Sequence, residues 1–559
     1  MVTTAPFNPS GVWNPANAAA YMDSLADEER ERFLDVSVEV RIWDKFYDFV
    51  DFAQDYIDLE FSFIRNGAGG LSMLLPGDTA IREHIFENPD GANATIPITV
   101  DTKGMQWPGK IDTASIIRDA DGVETIEITA LHDWEHVSRI AMWPSPFAPL
   151  QAQFPRRMVL VGPTETVIKT FLACNLLRLQ LPLWRVPDMA NLFDPSAWFD
   201  LGNAMFPIAV VPVNPLLDTT KWTAMSARMQ MGNELFAQSL KDAGLVLTAK
   251  LYIHGESEQP CPEWFILDRT TIVLDVEDHS GVTGPTGTVI DGLLDWFVEL
   301  AEDGVTQIFH PILDPDGDGN SIIDDFVGIK HEQPHIIWHE GQYSSVGESE
   351  VTIHKPIARD VIVGGKSPGW VNAGIEVGIR SLLSALGLAL AVPGLDALYQ
   401  GQLSDVFLAF QRFTDAERAR QGGPYMYQEY VDTTGGSAYT IDAMVAGRSA
   451  VWDTRGYVSH SITVHDGSPF IFGTPERGGH FSIGHLVGFE LNKTIYTDYV
   501  TKATFKDSRD TRATWTITIG DGSDEEGEAA RSARKISSLF GIAKDIALDT
   551  GADLGLGFI

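Results

Sequence analysis

Cysteine is nearly missing: Cys174 and Cys261 are the only two in 559 residues. Two thiols cannot build the disulfide framework of a small secreted scaffold. Cys174 sits in the apolar run FLACNLL and is expected to be a small core residue. Positive charge is also scarce. Forty Lys and Arg face 77 Asp and Glu, for a net charge of -37. Such a surface repels phosphate, which disfavours specific nucleic-acid binding. Long apolar runs are absent. LLSALGLALAV, Leu382–Val392, is too short to cross a hydrocarbon core of roughly 30 Å, so no stable membrane span is expected. The first residues, MVTTAPFNPSG, have neither the charged nor the apolar region of a secretory signal. What remains is 44% hydrophobic and 21% charged, a globular balance in a chain long enough for several domains.

Hydrophobic periodicity divides the chain. Residues 1–30 carry a short polar helical segment. From Val36 the period becomes two, with Val38, Val40 and Ile42 on one face. YIDLEFSFI passes through the Gly67–Gly70 turn into LSMLL. Lys110–Arg118 and Val123–Ala130 flank the turn DADG, a strong hairpin signal. Residues 31–155 therefore read as a first antiparallel β-barrel or sandwich. Residues 156–330 read as an α+β insert. Its helices are expected at TETVIKTFLACNLLRLQL, at 223–243 and at TVIDGLLDWFVELAED, and its strands at LVLTAKLYIHG and TTIVLDVED. Residues 331–520 return to strands, with a helical insertion near 373–422. DGSDEEGE then opens an acidic linker, and 521–559 end in an amphipathic helix bearing Ile536, Leu539, Phe540, Ala543 and Ile546. The expected class is α+β: β-rich and multi-domain, with α+β and helical insertions.

DPDGDGNSIIDD, Asp314–Asp325, spaces oxygen ligands as a calcium loop does. Asp314, Asp316 and Asp318 occupy positions 1, 3 and 5, and Gly319 the sharp turn at 6. Asn320 offers a carbonyl at 7 and Asp325 a carboxylate at 12. Asp325 is shorter than the usual Glu, Ile322 brings no side-chain oxygen to position 9, and Pro311 spoils an entering helix. The alternative is an acidic surface turn. If calcium is held there, its role is a structural staple, not catalysis.

Other motifs fail on their mechanics. HEQPH, His331–His335, spells the zinc-protease pattern, but Pro334 breaks the helix which that chemistry requires. GGKSPG, Gly364–Gly369, lacks the Gly a phosphate loop needs at Asp360. GPTETVIKT reads as a helix start, with Glu165 near its positive end. Asp453, Asp466 and Glu490 cannot be raised above the many other carboxylates as an acid–base pair. No catalytic or cofactor-binding residue is assigned, and no enzyme activity is expected.

Several stretches together resemble a known family. WPGKIDTASIIRDADGVETIEITALHDW (Trp107–Trp134) is similar to the first domain of tail-hub proteins of long-tailed phages. GGKSPGWVN (Gly364–Asn372) and GGPYMYQEYVDTTGGSAYTIDAMVAGRSAVWDTRGYVSHSITVHDGSPF (Gly422–Phe470) resemble minor tail proteins of phages infecting actinobacteria. The resemblance spans about 31–520. It implies two hub domains related to the tail-tube fold, and a homotrimeric ring at the distal end of the tail tube in the virion, made in the host cytoplasm. It further implies contacts with the distal tail protein or tube, other tail-tip proteins and the C-terminus of the tape-measure protein, and a channel that DNA traverses during ejection. The acidic balance suits such a channel, since DNA would pass without adhering. A tail-associated cell-wall hydrolase and a receptor- or carbohydrate-binding tail protein are the alternative readings.

Overall fold

The computed structural model describes residues 38–87, 91–181, 205–294, 330–331, 334–339, 346–364, 410–414, 416–432, 457–465, 470–491, 494–510 and 513–520. Its centre is a 13-stranded, largely antiparallel sheet. One side of it comes from the N-terminal region. Glu39–Trp43, Phe49–Phe52, Asp58–Ile64, Gly70–Pro76, Pro97–Thr102, Met105–Arg118 and Glu124–His132 lie there. The other side comes from Val346–His354, Tyr457–His465, Leu486–Leu491, Thr494–Ser508 and Thr514–Ile519, with Ile336–Trp338 paired to Leu486–Leu491.

The halves meet along Asp58–Ile64 and Thr494–Ser508, which pair antiparallel with Phe61 opposite Phe505. Alternation explains the contact. Leu59, Phe61 and Phe63 face inward, as do Val500, Ala503 and Phe505, while Glu60 and Lys506 meet on the outer face at 3.4 Å. Phe61 stacks on Phe505 at 5.0 Å, and Trp515 closes edge-on against both rings. Tyr56 donates to Asp507 at 2.6 Å across the same seam. One apolar core therefore serves strands some 400 residues apart in sequence.

The expected hairpin is present. Met105–Arg118 pairs with Glu124–His132 around Asp119–Gly122, and Gly122 takes a positive φ of 85°. The first β region, its Gly67–Gly70 turn and the strands at 245–252 and 271–278 also stand as expected.

A second core holds the insert. Helix Thr164–Gln180 and helix Gly232–Asp242 cover two small sheets, Met158–Pro163 with Trp222–Ala227, and Leu245–Tyr252 with Thr271–Asp278 and Ile208–Val210. Here the expected helix over 223–243 is corrected. Its first part is the strand Trp222–Ala227, which alternates and pairs with Met158–Pro163. Met229, at a positive φ of 66°, separates that strand from the helix. Cys174 is only partly buried, on the outer side of its helix, and Cys261 is the buried thiol. In the span expected to be helical near 373–422, Phe410–Thr414 is a strand paired with Asp360–Gly364, and helix is described at Ala416–Gly422. Residues 1–30, 314–325 and 521–559 lie outside the described residues. Among the described residues, no helix is long and apolar enough to cross a membrane.

Candidate functional site

A cleft of about 1160 Å³ lies where the N-terminal β region, the insert sheet and the 474–483 loop converge. Each wall follows from local sequence. The turn after Phe63 carries Asn66 at φ 53° and then Gly67 to Gly70. A Cβ on Gly69 would lie 1.7 Å from the Ser62 carbonyl, so only glycine lets the chain double back there. The opposite wall is Leu245–Tyr252, the edge strand of the insert sheet. The floor holds His132, flanked by Phe63 and Trp107 with ring centroids at 5.5 Å.

Three of the cleft's four cations are matched to carboxylates. Arg41 bonds Glu256 at 2.6 Å and also bonds Glu39; Lys250 bonds Glu277 at 2.7 Å; Arg477 bonds Asp101 at 2.9 Å. Behind the insert sheet, buried Lys169 sits 2.7 Å from both Glu165 and Asp275. Burial raises both carboxyl pKa values, and the ammonium opposes that without overcoming it. Glu165, expected to profit from the helix N-terminus, is thus held mainly by Lys169. The free N–H groups at the helix start are taken instead by the Lys221 carbonyl, by Thr220 Oγ1 and by Asp218, which accepts from the Thr166 N–H at 2.9 Å.

Histidines gather at the joint between insert and central sheet. The His485 ring lies 4.3 Å from His279 and 5.7 Å from His335. Burial, then the two neighbouring imidazoles, push the His485 pKa down to about 4. Burial works against the Glu277 carboxylate, but His279 at 3.2 Å and Lys250 prevail and bring it down to about 2. His132 is lowered to about 4 by burial. It accepts the Trp134 N–H through Nδ1 at 3.1 Å, so its proton resides on Nε2, which has no partner among the described residues.

Of the residues singled out from sequence, the described ones do not line this cleft. Asp314, Asp316, Asp318, Asn320 and Asp325 lie outside the described residues, as do Asp453 and Asp466. Of HEQPH, His331 ends a two-residue strand and His335 precedes the strand Ile336–Trp338, so neither described end of the motif is helical. His339 bonds Glu490 at 2.9 Å. Gly364 ends a strand, and the rest of GGKSPG lies outside the described residues. The cleft residues Asn66, His132, Trp134 and Lys250 carried no motif. The GxGG turn after Asn66 was the one available signal. Chemically, paired ions and wedged aromatics lock elements together; they do not present a poised acid and base.

Comparison with known proteins places this architecture. The model of the family described as Siphovirus ReqiPepy6 Gp37-like protein matches residues 39–521. Minor tail protein Gp28 of Mycobacterium phage L5 is 27% identical over 525 residues, covering 83% of this chain and 87% of that protein. Its counterpart in Mycobacterium phage D29 is 26% identical over the same coverage. Among solved structures, a 43 kDa tail protein of prophage MuSo2 from Shewanella oneidensis overlays 86% of this chain and 98% of its own, with 11% identity and a TM-score of 0.36. Prophage tail protein gp18 of Listeria monocytogenes overlays 91% and 99%, with 11% identity and a TM-score of 0.34. Overlaps this loose carry no functional argument.

Proposed function

Because the chain belongs to the Siphovirus ReqiPepy6 Gp37-like family, we propose that it is a minor tail protein with a structural role at the tail tip. The observation that carries this is the extent of the family match. It runs unbroken across both β regions and the insert, so the whole described architecture is the family's. In this reading the 31–155 and 331–520 regions act as two hub lobes joined at the Phe61–Phe505 seam. Three copies close a ring on the distal end of the tail tube. The ring contacts the distal tail protein or tube, its tail-tip neighbours and the end of the tape-measure protein. The net charge of -37 keeps the ring's lumen non-adhesive to passing DNA. The role is architectural, in keeping with a cleft in which Arg41, Lys250 and Arg477 tie elements together by ion pairs.

Two measurements test it. Gold-labelled antibody against the chain should mark the tail tip of intact virions. Light scattering over a concentration series should give a mass near three times 61.3 kDa. Label absent from the tail overturns the tail-tip role. A monomer at every concentration, with and without purified tube protein, overturns the ring.

A further inference from the structure

Among the described residues, the edge of the insert sheet is only partly covered. Leu245–Tyr252 pairs with Thr271–Asp278 on one side alone. The pairing registers Val246, Thr248, Lys250 and Tyr252 opposite Glu277, Asp275, Val273 and Thr271. On Thr271–Asp278, Ile272 and Leu274 send their backbone groups the other way, to Pro207 and Val211. The peptide groups of Leu245, Leu247, Ala249 and Leu251 therefore point away from the sheet, toward the cleft.

These outward groups have differing fates along the strand. The Asn66 amide imitates a neighbouring strand: it donates to the Leu245 carbonyl at 3.1 Å and accepts the Leu247 N–H at 2.8 Å. Trp134 donates its indole N–H to the Leu247 carbonyl at 2.8 Å. Just beyond the strand, the Ile253 N–H donates to Ser257 Oγ, and its carbonyl accepts from the Glu256 and Ser257 N–H groups. Between these caps, Ala249 and Leu251 have no hydrogen bond on the outward side among the described residues, and both are buried within the cleft. Buried backbone groups are rarely left unpaired. Two further polar atoms lining the same cleft have no partner among the described residues: the His132 Nε2–H, on a residue 6% exposed, and Asp101 Oδ2.

From this juxtaposition we propose that the cleft takes a short, extended, basic peptide segment of another protein, added as a strand along Ala249 and Leu251. An extended peptide supplies the alternating N–H and C=O groups that this gap presents, at the spacing of a sheet. Charge selects its side chains. Seven carboxylates and four cations line the cleft; Arg41, Lys250 and Arg477 are already committed to ion pairs, and Asp275 is matched by Lys169 from outside it, so the cleft still carries an excess of negative charge. The chain's own approach to Val38 is acidic, with Asp23, Asp27, Glu28, Glu29, Glu31 and Asp35 against Arg30 and Arg32, so the cleft selects against it. The inference concerns the insert and does not depend on the tail-tip role.

The test titrates the full chain with an acetylated, amidated hexapeptide of alternating Lys and Val, by calorimetry at low salt. In an extended peptide only every second N–H faces the ladder. Methylating the backbone nitrogens of the valines alone and of the lysines alone should therefore split: one peptide loses binding at least tenfold and the other keeps it. Ala249→Pro removes an outward N–H that the sheet does not use, and should weaken the unmodified peptide tenfold or more. An alternating Glu and Val peptide should bind at least tenfold more weakly, and 1 M salt should shrink that gap. If Ala249→Pro does not fold, the methylated pair decides, since it leaves the protein untouched. No binding of the Lys and Val peptide up to millimolar concentration overturns the proposal. So does equal binding of the two methylated peptides, or equal binding of the acidic and basic ones.

Discussion

Replacing Phe505 by Ala tests whether the two β regions share one core. Phe505 is fully buried, stacked on Phe61 at 5.0 Å and 29°, and edge-on to Trp515 at 5.1 Å. Truncating a buried Phe costs about 3–5 kcal/mol, transfer and cavity together. At 1.4 kcal/mol per tenfold, that is an exchange acceleration of roughly a hundred- to several-thousand-fold for amides that open with this core. Hydrogen–deuterium exchange with mass spectrometry reads it segment by segment. If the seam is one cooperative unit, Asp58–Ile64 and Gly70–Pro76 should speed up together with Thr494–Ser508 and Thr514–Ile519, although Phe505 belongs to the later pair. A cycle with Phe61→Leu and Phe505→Leu should show a coupling of about 0.5–1.5 kcal/mol, the worth of an aromatic pair. Acceleration confined to strands after residue 457, with 58–76 unchanged, would refute a shared core. The two regions would then be lobes in contact, each with its own stability.

Three further outcomes are expected. Lys169→Met should destabilise by about 3–5 kcal/mol, because it strands Glu165 and Asp275 beside each other in the interior. Burial already raises both carboxyl pKa values, so the folded state holds their protons more tightly than the unfolded chain. The variant's deficit should therefore shrink as pH falls from neutral toward the carboxylate range, and a urea-midpoint deficit independent of pH would be evidence against this account. His132 titrates near 4 when folded, below its ordinary 6.5, so the unfolded chain binds more protons in between. The stability it contributes is complete above 6.5 and is lost as pH falls toward 4, by up to about 3 kcal/mol, and His132→Phe should flatten that slope. An unchanged slope in the variant would assign the acid sensitivity to other groups. Finally, calcium should raise the melting temperature of the wild type but not of Asp316→Ala with Asp318→Ala. Equal melting of the wild type with calcium and with chelator leaves the 314–325 loop a solvated turn.

Much of the strand content was legible because alternation is a local signal. Val40 with Ile42, the DADG hairpin, LVLTAKLY and TWTITI each show period two over enough residues to exclude a helix. The strand that matters most to the architecture was not legible. Thr494–Ser508 alternates only loosely, since its inward positions include Ala503 and its outward ones Lys502, Thr504 and Lys506, and no apolar run announces it. It is a strand because it has a neighbour on each side, Asp58–Ile64 and Thr514–Ile519. The helix expected over 223–243 failed for a related reason. WTAMSA carries residues compatible with either period, and pairing with Met158–Pro163 decided the outcome.

The cleft was less legible still, because its defining property is which hydrogen bonds are missing. LVLTAKLY tells a reader which side chains share a face. It cannot tell which edge of the strand is paired, since that depends on Thr271–Asp278 on one side and on Asn66 and Trp134, more than a hundred residues earlier, on the other. Charge has the same limit. A net of -37 argues correctly about repulsion from a polyanion at a distance. It says nothing about attraction at short range, which depends on the carboxylates left over once local cations are used. Here Arg41, Lys250 and Arg477 are used, and among the described residues Asp101 keeps an unpartnered oxygen and His132 an unpartnered imidazole N–H. A chain whose net charge repels a polyanion can therefore still hold an extended peptide, provided the peptide is cationic and brings the backbone groups which Ala249 and Leu251 lack among the described residues.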